Sequence, residues 1–268
     1  MGRRLGILLA GCGLLGAGLA TATTPAQARR AADPVVVTVG PEVDPTGTDD
    51  VTMALREAIA SVPDGGTLRL HPDALYRVEG TLRIKDRDGF TLEGAGATIE
   101  ATTPRSVADS HIWVDRGSNI AIRDLSIIGA NLDAGVGEAA YHEDHETLHG
   151  VRANGTNGLE LDHVAISDVF GDFVYVGRDD DKTWSADVWI HDSTFIRNGR
   201  QGLAFTAVRG AVVERNDISQ TRRSTFDLEP NTESWGVEDL QILDNRIGPG
   251  RLLFIASHGG GPVTNVVI

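Results

Sequence analysis

An internal repeat limits the possible folds of this chain more than any other feature of its sequence. The pattern is apolar-x-apolar, then four residues, then a third apolar residue, and its middle members are 39, 29, 23 and 29 residues apart. The alternation predicts short strands, and the Gly, Asn, Asp and Ser residues between them suit tight turns. The five copies are Ile120/Ile122/Ile127, Leu159/Leu161/Ile166, Val188/Ile190/Phe195, Ala211/Val213/Ile218 and Leu240/Ile242/Ile247.

The return of matching strands every 23–29 residues argues against hairpins, and no amphipathic helix of useful length separates the strands. The chain is therefore predicted to coil on itself, with each strand paired in parallel with its counterpart one turn later. This arrangement is an all-β parallel β-helix, a solenoid. The longest step, of 39 residues, is explained by an insertion near residues 130–148.

A second strand is predicted about eight residues after the end of each first strand, and its outward side chains define a candidate groove. Alternation points Val174/Val176, Leu203/Phe205 and Phe226/Leu228 inward. Because stacked strands lie about 4.8 Å apart, the outward residues form a continuous polar surface. Its three predicted ladders are His149/Asp172/Gln201/Ser224, Arg152/Tyr175/Ala204/Asp227 and Asn154/Gly177/Thr206/Glu229.

The two ends of the repeat region read differently. Residues 51–60 follow two aspartates and carry an apolar stripe of Val51, Leu55, Ala58 and Ile59, so they are predicted to form a short helix that caps the first coil. Residues 265–268 repeat the start of the pattern and no cap follows them. We therefore expect the solenoid to continue beyond residue 268 or to be completed by a partner.

Residues 1–28 are predicted to be an export signal. Arg3 and Arg4 precede an apolar stretch over residues 5–19, and Ala26-Gln27-Ala28 is a small-x-small cleavage site. Cys12 lies in a sequence that resembles a lipobox, but inside the apolar stretch rather than after it, so secretion is expected rather than lipidation. Residues 29–268 then form a single cysteine-free domain, which excludes disulfides and thiol catalysis.

The net charge of −14 limits the partners of the protein. A surface this acidic repels nucleic acid and anionic membranes, so neither is an expected partner of the mature chain. A local cluster of arginines can still reverse the sign of one groove, and an anionic polysaccharide therefore remains compatible with the composition.

The sequence resembles the pectate-lyase-like β-helix superfamily over residues 40–268. Residues 44–50, the helix after them and the Gly-Gly-Thr-Leu of residues 65–68 are similar to the N-terminal opening of that superfamily. Residues 171–172, 200–202 and 227–231 resemble segments of bacterial right-handed β-helix repeat proteins. The resemblance implies a right-handed parallel β-helix. It also implies an activity within a range that includes polysaccharide lyases, glycoside hydrolases, uronan epimerases and phage tailspikes.

The motifs of particular activities within that superfamily are missing. The Asn-Thr-Asp, Asp-Asp, His-Gly and Arg-Ile-Lys set of a polygalacturonase does not occur in order, and the Asp-Pro-His-Asp run of an epimerase is absent. Lys85 and Lys182 are the only lysines, which argues against a lysine-based lyase mechanism.

Asp227, Glu229 and Arg200 are the candidate catalytic residues. On a strand, residues i and i+2 share a face about 6.7 Å apart, a spacing that suits two carboxylates acting as acid and base with a water between them. The same pair could instead bind Ca²⁺ that neutralises a uronate, with Arg200 as base or charge clamp in a β-elimination. In a purely structural alternative, Glu229 caps a turn and Asp227 pairs with Arg200 or Arg223.

The candidate substrate-binding residues line the same surface, and none of them is predicted to bind a metal: His149, Arg152, Asp172, Tyr175, Gln201 and Arg178. Tyr175 offers a stacking face for a sugar. In the insertion, residues 145–149 match the H-E-x-x-H spacing of zinc proteases, but a predicted strand follows at once and the motif requires a helix. A polar loop is expected there, and His142 or His145 could reach the groove.

Two functions remain open at this level. The first is a secreted enzyme that cleaves an extended polysaccharide, with or without uronic acids, by lysis or hydrolysis. The second is a non-catalytic carbohydrate-binding, adhesin-like or tailspike-like module, which requires aromatic platforms but no converging acid–base pair.

Overall fold

The strand pairings of the described residues share one direction. The computed structural model describes residues 35–104, 110–256 and 260–268, and each strand pairing within them is parallel. The predicted export signal, including Cys12, lies outside the described residues. Among these residues, no helix has the length and apolar content needed to cross a bilayer.

The described residues form twenty strands, one α-helix and two 3-10 turns. The elements are β1 (Val36–Thr38), β2 (Thr46–Asp50), α1 (Thr52–Ser61), β3 (Thr67–Arg69), β4 (Leu75–Arg77), β5 (Leu82–Asp88), β6 (Thr91–Glu93), β7 (Thr98–Glu100), β8 (Ser110–Ile128), the 3-10 turns Glu138–Ala140 and Glu143–His145, β9 (His149–Val169), β10 (Val174–Gly177), β11 (Ser185–His191), β12 (Thr194–Asn198), β13 (Leu203–Phe205), β14 (Val208–Glu214), β15 (Asp217–Ser219), β16 (Ser224–Leu228), β17 (Val237–Leu243), β18 (Arg246–Ile247), β19 (Arg251–Ile255) and β20 (Val263–Val267).

The strands stack into three parallel sheets, one on each face of the coil. Sheet 1 contains β5, β10, β13, β16 and β19; sheet 2 contains β1, β3, β6, β11, β14, β17 and β20; sheet 3 contains β2, β4, β7, β12, β15 and β18. The long strands β8 and β9 bend through all three sheets and join them into one hydrogen-bonded network. This is the predicted parallel β-helix.

The apolar repeat lies in register from coil to coil, which confirms the prediction. Ile122, Leu161, Ile190, Val213 and Ile242 pair successively along sheet 2. Their side chains are buried, from fully to 5% exposed, and belong to one core that runs the length of the coil. The repeat therefore encodes the interior of the solenoid.

The corner that leads into sheet 2 uses a residue in the left-handed backbone region. Asn119, Gly158, Asp187, Gly210 and Asp239 occupy equivalent positions in five coils, with φ between 51° and 78°. Asn, Asp and Gly tolerate this conformation at lower cost than other residues. The polar residues that the sequence places between strands therefore turn the chain from one sheet to the next.

The predicted capping helix is present as α1. Leu55 and Ile59 are buried in the core and Ala58 packs against it. Asp50 precedes the helix and accepts hydrogen bonds from the backbone N–H and hydroxyl of Thr52, at 3.0 and 2.5 Å. The helix thus shields the first coil through its apolar stripe, as the sequence predicts.

We predict that Ile190→Ala lowers the free energy of unfolding by about 2–5 kcal/mol, because it leaves a cavity in a fully packed rung. Thr194→Ala changes an exposed residue of the same coil and is expected to alter stability by no more than about 0.5 kcal/mol. Urea denaturation of the two variants checks this prediction. Equal effects would contradict the inward orientation of the repeat.

Candidate active-site groove

The predicted outward ladder of sheet 1 is present and is longer than expected. Arg152, Tyr175, Ala204 and Asp227 pair in that order on neighbouring strands. The pairing extends the same row to Arg83 and Trp113 on one side and to Phe254 on the other. Trp113 was missed by the sequence analysis, although the apolar residues that flank it, Ile112 and Val114, indicate an outward side chain.

Cations and aromatic rings alternate in the first half of this row. The guanidinium carbons of Arg83 and Arg152 lie 4.1 and 4.6 Å from the ring centre of Trp113, within the range of cation–π attraction. Asn154 fixes the arrangement from the neighbouring ladder. Its Oδ1 accepts hydrogen bonds from Trp113 Nε1 at 3.1 Å and Arg152 Nε at 2.6 Å.

Asp172 and Arg200 form a buried ion pair beside this row. The Asp172 carboxylate is fully buried and accepts hydrogen bonds from Arg200 Nη1 and from the backbone N–H of Gln201, both at 2.9 Å. Burial raises the pKa of Asp172 to about 6, although Arg200 opposes the shift. The charge of Asp172 also raises the pKa of Arg200. These contacts favour the charge-clamp role of Arg200 over its role as a base, because they stabilise the protonated guanidinium.

His149 is a neutral side chain in this cluster. The backbone N–H of Asp172 donates to His149 Nδ1 at 3.0 Å, so the ring proton resides on Nε2. Burial, together with Arg200 and Arg152, holds the pKa of His149 well below its ordinary value. Its Nδ1 lies 3.3 Å from Asp172 Oδ2, but this contact is not an ion pair because the imidazole is uncharged.

The Tyr175 ring contacts other side chains of the protein on the groove face. It stacks on His149 with ring centres 5.0 Å apart and planes inclined by 14°, and its hydroxyl lies 3.0 Å from Thr206 Oγ1. The ring lies over Gly177, where an added Cβ would meet Tyr175 Cε1 at 2.9 Å and Thr206 Oγ1 at 2.8 Å. One face of the predicted stacking platform is therefore already covered.

Asp227 is a buried carboxyl in an electrostatically unfavourable environment. The residue is 1% exposed. Among the described residues, no N–H or hydroxyl group donates a hydrogen bond to either of its carboxylate oxygens. Its carboxyl can share a proton with the carboxyl of Glu229. Burial raises the pKa of Asp227 to about 7, and the nearby charges of Glu229 and Asp172 add to the shift while Arg200 opposes it.

The structural alternative, in which Asp227 pairs with Arg200 or Arg223, is wrong: among the described residues, neither arginine forms a salt bridge with Asp227. Arg200 forms its salt bridges with Asp172 and with Glu146, the latter at 3.6 Å. The Arg223 guanidinium lies over the Tyr141 ring at 4.3 Å. A buried carboxyl that lacks a cationic partner is costly, and such groups are concentrated at functional sites.

Gln201 and Arg178 occupy the margins of the groove. Gln201 Oε1 accepts hydrogen bonds from the backbone N–H and the hydroxyl of Ser224, at 3.0 and 2.7 Å, so this amide oxygen links two coils. The half-buried Arg178 lies over the Trp235 ring at 4.8 Å. The structure thus places all nine predicted residues along sheet 1, but Gln201 uses its amide oxygen for structural contacts.

The insertion reaches the groove through residues that the sequence analysis did not select. Glu146 accepts a hydrogen bond from the Tyr141 hydroxyl at 3.0 Å and pairs with Arg200. His142 and His145 instead pack against Phe170, with ring centres 5.1 and 4.8 Å away. His145 ends a 3-10 turn and His149 begins β9, so the H-E-x-x-H spacing does not lie on a helix, as expected.

Carboxylates in the groove do not gather into a metal site. Within the part of the chain that the structure describes, the one group of three close metal-ligand side chains is Glu160, Asp162 and His191, which lies on sheet 2. Asp227 and Glu229 provide two carboxylates on sheet 1, and Arg200 already binds Asp172. Among the described residues, the groove therefore offers two neighbouring carboxylates to a cation but no group of three close metal-ligand side chains.

Solved structures with the same architecture are similar to this chain. One is the A-module of the mannuronan C-5 epimerase AlgE6 of Azotobacter vinelandii, with 17% identity, a TM-score of 0.51, and coverage of 77% of this chain and 56% of that chain. Another is the catalytic unit of a thermostable GH87 α-1,3-glucanase from Streptomyces thermodiastaticus strain HF3-3, with 18% identity, a TM-score of 0.50, and coverage of 88% and 47%.

These similarities show the fold, a right-handed parallel β-helix, which is the fold that the resemblance of the N-terminal segments implies. The chain spans about half the length of each of these two structures. No protein-family model matches the sequence, and no curated protein matches it.

We predict that Asp227→Asn stabilises the protein at pH 8 and has little effect at pH 4. The folded chain keeps the Asp227 proton up to a pKa of about 7, whereas the unfolded chain loses it near 3.8, so stability falls as pH rises between these values. Above pH 7 the loss amounts to about 4 kcal/mol, which the uncharged amide avoids.

Thermal unfolding at both pH values measures this effect. Asp180→Asn, which removes an exposed carboxylate in a turn, is the matched control and is expected to be neutral at both. A change of equal size at pH 4 and pH 8 would show that Asp227 is not buried as a proton-bearing group.

Proposed function

We propose that this protein is a secreted glycoside hydrolase that binds an extended polysaccharide along the sheet 1 groove, with Asp227 as its general acid. The observation that carries the proposal is the buried Asp227 carboxyl, whose pKa is raised to about 7 and which touches a second carboxyl. A carboxylic acid that keeps its proton near neutral pH is what protonation of a glycosidic oxygen requires.

Asp227 and Glu229 have different roles in the proposed reaction. Asp227 donates its proton to the glycosidic oxygen as the bond from that oxygen to the sugar carbon breaks. The half-buried Glu229, once ionised, accepts a proton from the water that attacks this carbon. The two carboxyls are close enough to share a proton, so a bound sugar must separate them before a water fits between them. Asp172 and Arg200 both influence the pKa of Asp227: the charge of Asp172 raises it, and the charge of Arg200 lowers it.

The surroundings of the other polar groups favour hydrolysis over β-elimination. Elimination needs a base, but His149 Nδ1 is occupied by the Asp172 N–H and burial raises the pKa of Tyr175, which keeps its hydroxyl protonated. Arg200 is paired with Asp172 and stays charged. Apart from Glu229, the residues available therefore supply an acid more readily than a base.

The shape and charge of the row of outward side chains on sheet 1 support the proposal that the ligand is extended. Arg83, Trp113 and Arg152 lie on consecutive strands and present cationic and aromatic groups to a chain that crosses the coils. Arginines in a protein with a net charge of −14 favour a polysaccharide that contains uronic acids. The structurally similar epimerase and glucanase are both named for polysaccharides, which supports the same class of ligand here.

Export supports the same assignment. The order of basic, apolar and small residues in positions 1–28 is that of a secretory signal peptide, and an extracellular location gives access to polysaccharide.

A carbohydrate-binding module is the second candidate, and one observation favours it. Asp227 is 1% exposed in the unliganded groove, and the Tyr175 ring is partly covered by His149, so access to the acid requires side-chain movement. A module that only binds its ligand would not need that movement.

We predict that the full-length secreted protein releases new reducing ends from a uronic-acid-containing polysaccharide without a rise in absorbance near the ultraviolet edge. Asp227→Asn and Glu229→Gln should each lower kcat by about 100-fold or more, since each removes one half of the acid–base pair. Glu57→Gln, at an exposed carboxylate on α1, is the control and should retain full activity.

Assays with Ca²⁺ and with a chelator belong to the same experiment. Activity unaffected by either supports hydrolysis by the carboxyls alone, whereas absorbance that depends on Ca²⁺ would identify a lyase. Binding of the polysaccharide without cleavage would support the module, and full activity of Asp227→Asn would refute the site assignment.

The pH dependence gives a separate prediction. The general acid must carry a proton, and that form of Asp227 is present below its pKa of about 7 and disappears above it. We therefore expect kcat to fall as pH rises through about 7, and to fall tenfold per pH unit well above it. A rate that stays constant up to pH 9 would exclude Asp227 as the acid.

A further inference from the structure

A basic cavity lies at the N-terminal end of the groove, between α1 and β5. Its volume is about 500 Å³, and among the charged residues that line it four are cationic and one, Asp64, is anionic. The cationic residues are Arg56, Arg83, Lys85 and Arg87. Asp64 and the adjoining Asp115 offset part of this charge. The four cations still outnumber these two carboxylates, so the cavity is locally positive in a protein with a net charge of −14 and would attract an anion.

Arg87 and Arg56 both form structural contacts. Arg87 Nε pairs with Asp64 at 2.7 Å, and its guanidinium also donates to backbone carbonyls at the end of α1, including that of Ile59 at 3.1 Å. Arg56 Nε donates to the Thr81 carbonyl at 2.9 Å. These contacts join the helix to the first coil, yet the positive charges still contribute to the potential of the cavity.

The other two cations are more accessible. The side chains of Arg83 and Lys85 are 43% and 45% exposed. Arg83 donates a close hydrogen bond to the buried Asp115 carboxylate and keeps part of its guanidinium exposed, and Lys85 lies beside the same carboxylate. Lys85 Nζ lies 3.8 Å from Asp115 Oδ2, longer than a hydrogen bond. The Lys85 ammonium can therefore donate to a ligand without breaking a close contact.

The cavity is continuous with the groove. Arg83 lines the cavity and also stacks on Trp113 in the sheet 1 row. Five strand-to-strand steps separate Arg83 from Asp227, which corresponds to roughly 24 Å along the coil axis. A polysaccharide chain that lies across the coils with one sugar at Asp227 would reach this cavity several sugars away.

We propose that the basic cavity is a distal subsite that binds an anionic substituent, a carboxylate or a sulfate, on the same polysaccharide chain. This inference rests on the proposed function of the groove and adds to it a second point of recognition. Lys85 and Arg83 contact the anion, and Arg56 and Arg87 raise the local potential. Such a subsite selects for chain length, because a short chain bound at Asp227 cannot reach it.

The test measures binding of uronic acid oligosaccharides of increasing length to the full-length protein by calorimetry. Lys85→Gln should weaken binding of the longest chains by about tenfold, which is the loss of one charged contact worth about 1.4 kcal/mol, and leave the shortest chains unchanged. Lys182→Gln removes the only other lysine, an exposed residue of a turn, and should bind every length as the wild type does. Equal binding of long chains by wild type and Lys85→Gln would overturn the subsite.

Inorganic sulfate separates failure of this inference from failure of the proposed function. If no acidic oligosaccharide binds any variant, the polysaccharide assignment of the groove fails and with it the distal subsite. A sulfate-induced rise in Tm of the wild type that is absent in Lys85→Gln would then identify the cavity as a site for a free anion. If oligosaccharides bind but Lys85→Gln and wild type show the same length dependence, the proposed function stands and the subsite does not.

Discussion

Hydrogen bonding between parallel strands of successive coils is the constraint on which the rest of this structure depends. It places residues 23 to 39 positions apart in the sequence side by side, about 4.8 Å from one another. Contacts of the groove such as Trp113 with Arg152 join neighbouring coils in this way. A shift of one coil by a single residue would turn its outward residues into the core, so the register of the apolar repeat and the groove are set by the same pairing.

The polar groups of the groove differ in how completely their charges are compensated. Asp172 is fully buried, but Arg200 and a backbone N–H stabilise its charge. Asp227 is almost as buried, and the carboxyls of Glu229 and Asp172 act on it together with Arg200. An apolar residue would be cheaper than an aspartate at this position, since Ala204 and Phe254 occupy the neighbouring rungs of the same row. The unfavourable environment of Asp227 therefore points to chemistry rather than to stability.

The sequence was sufficient for the fold and for the main row of the groove, because both follow from the period of the apolar residues. Tyr175 and Asp227 could be placed next to the correct neighbours since each lies between two inward apolar residues. The Asp172–Arg200 pair could not be predicted, because both residues lie in turns where alternation gives no direction. Tyr141 and Glu146 were missed for a related reason: they belong to the insertion, which has no counterpart in other coils.

Arg83 and Lys85 lie in a coil whose strands precede the regular repeat, and their position becomes visible only through the pairing of β5 with β8. Because of that pairing, the two halves of the groove differ in charge. Its N-terminal half carries Arg83, Lys85 and Arg152, and its C-terminal half carries Asp227 and Glu229. An anionic chain is attracted to the first half and repelled from the second, where Asp227 can relieve the repulsion only by keeping its proton. The same charge separation that orients such a chain therefore also helps to keep the acid protonated when the chain is bound, because a nearby anionic sugar disfavours ionisation of the carboxyl.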